Sequence, residues 1–303
     1  MIQWEQVVTE APWCRRDSMG EVVHDGKMWI FGGYTPTRIN DVWCSADGVN
    51  WAQVTPQAPW GGRNLPCALV HGGRMWLLGG FAPKDKATNR FPAYNDVWSS
   101  ANGADWTLVA QAPWSARGAA GAVVFDNKMW VLGGFDGTDF SHSDEVWSSA
   151  DGVAWKLEDH APWGPRAMMA CLVFGKWMWV LGGGIYDDRH PLNTVADYSD
   201  VWRSEDGASW EQVTADAGWA PRRFHCGVVY AGGGYHRMWI LGGYHQGNRN
   251  DVWSSRDGRH WTEEQTPWPI RHEPGCLEFK EQLWLLGGFG DTLYNDVWRG
   301  SGS

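Results

Sequence analysis

A Gly-Gly doublet recurs six times in register, at Gly32-Gly33, Gly79-Gly80, Gly133-Gly134, Gly182-Gly183, Gly242-Gly243 and Gly287-Gly288. Each is followed by an acidic-Val-Trp triplet, whose indoles are Trp43, Trp98, Trp147, Trp202, Trp253 and Trp298. Successive triplets lie 55, 49, 55, 51 and 45 positions apart. A period in this range, carried by apolar runs of strand length without a helical pattern, is that of propeller blades.

The third copy shows the plan. Ala119 to Phe125, Lys128 to Phe135, Asp144 to Ser149 and Ala154 to Glu158 read as four antiparallel strands, with hairpin turns at Asp126-Asn127 and Asp151-Gly152. One such sheet is unstable alone, and stacking in a ring buries both its faces. Trp4 to Val8 reads as a fourth strand with no first three before it, and Asp296-Val297-Trp298 as a third strand with no fourth after it. The N-terminus is therefore expected to complete the last sheet, closing a single ring over residues 1–303 and removing its open edge.

Of the 25 Trp, 24 occupy four recurring positions and only Trp177 stands outside. Rings of this size are expected to form the core between blades. The Gly-Gly doublets are expected to let Trp of the third and fourth strands approach the backbone. Together with the Pro-containing link to an Arg, as in Ala112-Pro113-Trp114 followed by Arg117, these features resemble the kelch-repeat β-propeller family over essentially the whole chain. The resemblance implies an all-β, six-bladed propeller of four-stranded blades. The chain departs from it in placing Trp13, Trp60, Trp114, Trp163, Trp219 and Trp268 in the links. The Ser-x-Asp-Gly-x-x-Trp turns are one residue shorter than the Asp-box turns of sialidases, and they read as structural.

A formal charge of -10 argues against nucleic acid or an anionic membrane as partner. No run approaches a membrane span, and Met1-Ile2-Gln3-Trp4 passes straight into repeat sequence without a leader. Cys67, Cys171, Cys226 and Cys276 fall on first strands, as buried reduced thiols would in a cytoplasmic monomer.

Strand order puts the Arg-bearing links and the second-to-third loops on one face. Those loops differ in length, which marks the face for recognition. What recurs in every blade serves the common geometry, and what occurs in one blade answers to something asymmetric. Arg16, Arg63, Arg117, Arg166, Arg222 and Arg271 recur three after the link Trp. They are either ties to neighbouring carbonyls and carboxylates or a crown of cations for a ligand, the role that links of kelch adaptors imply. The next position varies: Asp17, Asn64, Gly118, Ala167, Arg223, His272. Asp17, Arg223, His272 and Glu273 should form one polar arc over blades five, six and one, with Tyr34, Phe81, Phe135, Tyr186, Tyr244 and His245 beside it as binding positions.

His272, Glu273 and Asp17 are the expected acid-base set. Asp136, Asp139 and His142 on one loop, and Asp187, Asp188, His190 and Asp197 on another, are weak metal candidates, with Asp187 and His190 the best placed. No cofactor is expected. The primary expectation is a propeller that binds a small anion, a sugar or an acidic peptide segment. The alternatives are an isomerase, mutarotase or lyase at the same mouth, since the resemblance extends to bacterial mutarotases, and a metal-assisted enzyme at the loop carboxylates.

Overall fold

The computed structural model describes residues 2–190 and 194–302. Six four-stranded antiparallel sheets form a ring, and each innermost strand neighbours the innermost strands of the sheets before and after it. These strands are Gly20–His24, Cys67–His71, Gly121–Phe125, Ala170–Phe174, Cys226–Tyr230 and Gly275–Phe279, in blades one to six. Among the described residues no helix is long and apolar enough to cross a membrane.

Ring closure follows the expectation. Ile2–Val8 pairs antiparallel with Leu293–Gly302 as the outermost strand of blade six. Blade five latches the seam: the Ile2 amide donates to Glu264 at 2.8 Å, and the Gly302 amide to the Tyr230 hydroxyl at 2.9 Å. In the third blade the strands are Gly121–Phe125, Lys128–Leu132, Glu145–Ser149 and Lys156–His160. The second is shorter than expected and stops before the Gly133-Gly134 doublet.

The core lies between blades. Trp29, Phe31, Val42 and Trp60, for example, pack with Met75, Leu77 and Trp106. Every link Trp meets, edge to face, a Trp that lies within a fourth strand or immediately before one, at 4.4–6.1 Å between ring centroids, a preferred aromatic geometry. Second-strand Trp do a different job. Trp284, Trp29, Trp76, Trp130 and Trp179 lie under the turn glycines Gly48, Gly103, Gly152, Gly207 and Gly258 of the following blade, where a Cβ would sit 2.1–2.3 Å from the ring. Blade six has no such turn, and Trp239 packs against Tyr230 and Tyr235 instead.

The Gly-Gly doublets thus do not serve Trp of the third and fourth strands, contrary to expectation. They admit backbone: a Cβ on Gly33, at φ +110°, would lie 2.7 Å from the Asp17 carbonyl oxygen. The Ser-x-Asp-Gly turns are structural, with Ser45 Oγ accepting from the Gly48 amide at 2.8 Å and Asp47 from the Val49 amide at 2.9 Å.

Candidate functional site

The six link arginines are 0–4% exposed. Arg16 grips both oxygens of Asp41 at 2.7 and 2.8 Å and donates to the Gly32 carbonyl, while Trp43 donates its indole N–H to the same carboxylate. Arg63, Arg166, Arg222 and Arg271 do the same with Asp96, Asp200, Asp251 and Asp296, while Arg117 reaches one oxygen of Glu145 and the Ser143 hydroxyl. The repeat signature is therefore one network joining doublet carbonyl, link Arg, strand-three acid and its Trp. The expected crown has no guanidinium exposed to a ligand, because the acidic-Val-Trp triplet supplies each Arg with a carboxylate of its own.

The next two positions of each link build the channel mouth. Asp17, Asn64, Gly118, Ala167, Arg223 and His272 bridge to Tyr34, Phe81, Phe135, Gly184, Tyr244 and Phe289, the residues that follow the doublets. Beyond them Ser18, Leu65, Ala119, Met168, Phe224 and Glu273 all take φ of +50° to +58°. Each donates its amide to the equivalent carbonyl of the preceding blade, at 2.8–3.1 Å, and the six bonds close a circle at the neck. Left-handed backbone at Leu, Met and Phe is unusual and persists here because the circle imposes it.

On one side of the neck the structure unites the expected acid-base residues: ligating atoms of Asp17, His272 and Glu273 lie within 4.8 Å of one another. Ser18 Oγ sits between the carboxylates, 2.7 Å from Asp17 Oδ1 and hydrogen-bonded to Glu273 Oε2. One hydroxyl has a single proton, so it satisfies both only when one carboxyl is itself protonated. Burial supplies that proton, pushing Glu273 well above the usual carboxylate range, with Asp17 adding to the effect; burial also pushes Asp17 up to about 7. His272 Nδ1 lies 2.6 Å from Asn248 Oδ1, and the Asn248 amide nitrogen is held to the Gly290 carbonyl. That makes Nδ1 the protonated nitrogen and leaves Nε2 with its lone pair. Burial, then Arg223, lower His272 to about 4, so it is neutral at physiological pH.

Arg223 is 3% exposed and bound to Asp197 at 2.7 Å, whose other oxygen holds His245 at 2.9 Å. Both expected binding residues are thus committed to a bond between blades four and five, and Tyr244 stacks under Arg223 at 4.9 Å. Two cations line the mouth without an ion pair among the described residues, Lys84 and the more deeply held Arg38, which sequence reading missed. Its Nε donates to Asn64 Oδ1 at 3.0 Å, and its guanidinium lies 4.2 Å over Phe91 and 5.2 Å over Tyr34. Among the described residues no carboxylate pairs with it, and it lines a cavity of about 580 Å³ with Asp17, His272, Glu273 and Tyr186. Arg38 occurs in one blade only, so the contrast between blades that singled out His272 applied equally to this loop.

The other side of the mouth is apolar. Phe81, Phe135, Phe140, Tyr186 and Phe224 cluster there with Leu65, around a second cavity of about 250 Å³ that Arg38, His272 and Glu273 also line.

The loop metal candidates do not converge. Asp187 is chelated by Arg189, Asp188 pairs with Arg90, and Asp197 is taken as above. His142 is occupied at both ring nitrogens, by the Phe140 carbonyl and the Tyr186 amide, while Asp136 and Asp139 cap their own loop. His190 also stays outside any cluster, although residues 191–193 of its loop lie beyond the described ones. Among the described residues, Asp17, His272 and Glu273 alone have the donor types and spacing to hold a cation. His225 is 7% exposed and packs against Trp219.

A Kelch motif model matches residues 116–151. No curated protein matches the chain. Among solved structures, one titled "Structure of YjhT" superposes with a TM-score of 0.74 over 96% of both chains at 14% identity, a likeness of fold. The chain is thus a six-bladed β-propeller whose third blade matches the Kelch motif and whose other five blades repeat the same plan.

Proposed function

We propose that this propeller binds a small anionic molecule at the mouth of its channel. The observation that carries the reading is Arg38: every link Arg is paired with a carboxylate of its own, whereas among the described residues none forms an ion pair with this one, which faces the open cavity it shares with Asp17 and Glu273. Stacking between Tyr34 and Phe91 and the bond to Asn64 hold the fork in place, which suits planar recognition of a carboxylate or phosphate. The neutral His272 and protonated Glu273 offer an acceptor and a donor to neighbouring polar groups, including sugar hydroxyls, without repelling the anion.

Calorimetric titration with small carboxylates, sugar acids and the matching neutral sugars tests this. The acids bind in a salt-sensitive way and Arg38→Ala weakens them by roughly tenfold or more; unchanged affinity in that variant sinks the reading. Asp17, raised to about 7, gains charge as pH rises through neutrality, so affinity falls across that range and Asp17→Asn flattens the profile.

A second reading, proton transfer on the bound molecule, is favoured by one observation: two carboxyls and an imidazole with displaced acidities meet within 4.8 Å. His272 Nε2 would accept and Glu273 donate. Loss of ligand C–H exchange into D2O in His272→Gln, with binding retained, distinguishes this from binding alone; no exchange in the parent chain rejects it.

A further inference from the structure

Resting on the anion-binding reading, we infer that the ligand is an aryl carboxylic acid, its ring in the apolar half of the mouth and its carboxylate on Arg38. Two cavities meet there. The polar one, about 580 Å³, and the apolar one, about 250 Å³, share Arg38, Asn64, Phe91, Tyr186, His272 and Glu273, so one molecule reaches both. The smaller is walled by Phe81, Phe135, Phe140 and Phe224 over Leu65. An apolar cavity of about 150 Å³ suffices for a benzene ring, so this one accepts a phenyl group with one or two methylenes.

A sugar ring is the poorer occupant of that half. Most of its hydroxyls would lose water against phenylalanine edges, because the polar partners of this cavity, Asn64, Tyr186, His272 and Glu273, lie only along the boundary it shares with the polar one. The phenylalanines are also held by one another, Phe81 on Phe135 at 4.7 Å and Phe135 stacked on His142 at 4.9 Å, so the slot is preformed and little ordering opposes entry of a flat ring. Arg38 lies across the boundary, its guanidinium over Phe91, which puts the charge at one end of the slot. The geometry thus asks for a planar apolar body with a terminal anion.

The test is calorimetric titration of the full chain near pH 6 with phenylacetate, 3-phenylpropanoate, phenylacetamide and glucuronate. The aryl acids bind at least roughly tenfold more tightly than glucuronate, the difference expected from burying a phenyl ring. Phenylacetamide, which lacks the charge, loses a similar factor. Leu65→Asn puts an amide into the apolar floor at a left-handed position that Asn tolerates, so the variant folds, and it lowers aryl-acid affinity about tenfold while leaving glucuronate unchanged. Glucuronate binding as tightly as phenylacetate, or aryl-acid affinity unaffected by Leu65→Asn, overturns the aryl inference and leaves the anion site intact if Arg38→Ala still abolishes binding. Phenylacetamide equal to phenylacetate, with Arg38→Ala silent, overturns the anion site itself. No heat with any of the four overturns both.

Discussion

The amide of Ser18 donates to the carbonyl of Glu273 at 3.1 Å, joining the first blade to the last at the neck of the channel. Their side chains meet as well, through the Ser18 hydroxyl and the Glu273 carboxyl. The circle that seals the propeller and the site at its mouth are therefore the same piece of backbone. Anything that loosens the seam between blades six and one also pulls Asp17 away from Glu273.

Ring closure can be tested by truncation. Removing residues 1–8 strips blade six of its outermost strand, of the Trp4–Trp268 contact at 6.1 Å and of Val7 and Val8 from the core shared with blade one. Removing residues 300–302 costs the pairs with Ile2, Gln3 and Trp4, the Gly300–Leu283 pair, and the bond to Tyr230. Both urea midpoints fall, the first much further; equal midpoints contradict this account of closure.

Arg63→Ala leaves Asp96 buried without its cation and is expected to cost about 3–5 kcal/mol in urea unfolding, as for other broken buried pairs. Arg15, exposed and paired with Glu10 at 2.8 Å, is the control, and Arg15→Ala changes stability by less than about 1 kcal/mol. A mild effect at Arg63 would mean the link arginines are not structural ties.

Two glycines separate conformational strain from contact. Gly26 and Gly103 have similar φ, +67° and +74°, but a Cβ on the first meets nothing within 4 Å while one on the second lies 2.2 Å from the Trp29 ring. Gly26→Ala is expected to cost about 1 kcal/mol from its left-handed backbone alone. Gly103→Ala adds displacement of the indole, about 1–3 kcal/mol more. Equal melting temperatures would remove the proposed role of the turn glycines.

Glu21 faces the channel, accepts the Cys276 amide at 3.2 Å and is pushed up to about 8 by burial. Above about pH 4.5 the unfolded chain ionises there while the folded chain keeps its proton, so stability drains as pH rises and the loss is complete above about pH 8. Glu21→Gln keeps an oxygen for the amide and cannot ionise. It matches the parent near pH 4 and exceeds it by roughly 2–4 kcal/mol near pH 9, read from urea midpoints across pH; parallel profiles would place the Glu21 proton elsewhere.

Features repeated in all six blades were legible because each acts within or just beyond its own repeat. The doublet, the link Arg, the acidic-Val-Trp triplet and the short Asp-Gly turn are separated by a few tens of residues, and six copies average out accident. Their partners were harder to assign. That Gly33 admits the Asp17 carbonyl, or that Gly103 sits on Trp29, depends on strand stacking and on φ at single residues, for which Leu65, Met168 and Phe224 carry no local signal.

The mouth divides along the same line. Residues that differ between blades marked Asp17, His272 and Glu273, and the chain's own repeats were enough to say that they share a face. Whether a cation there is available is a question of partners. Seven arginines of the links are cancelled, six by triplet acids and Arg223 by Asp197, and Arg38 is left because among the described residues no carboxylate closes an ion pair with it. By itself, then, the sequence determined the wheel and its closure, since identical local chemistry permits only one way to stack. Which charges survive at the hub was decided by the tertiary structure, because pairing and burial there join residues as distant as Ser18 and Glu273, and no local pattern records what they meet.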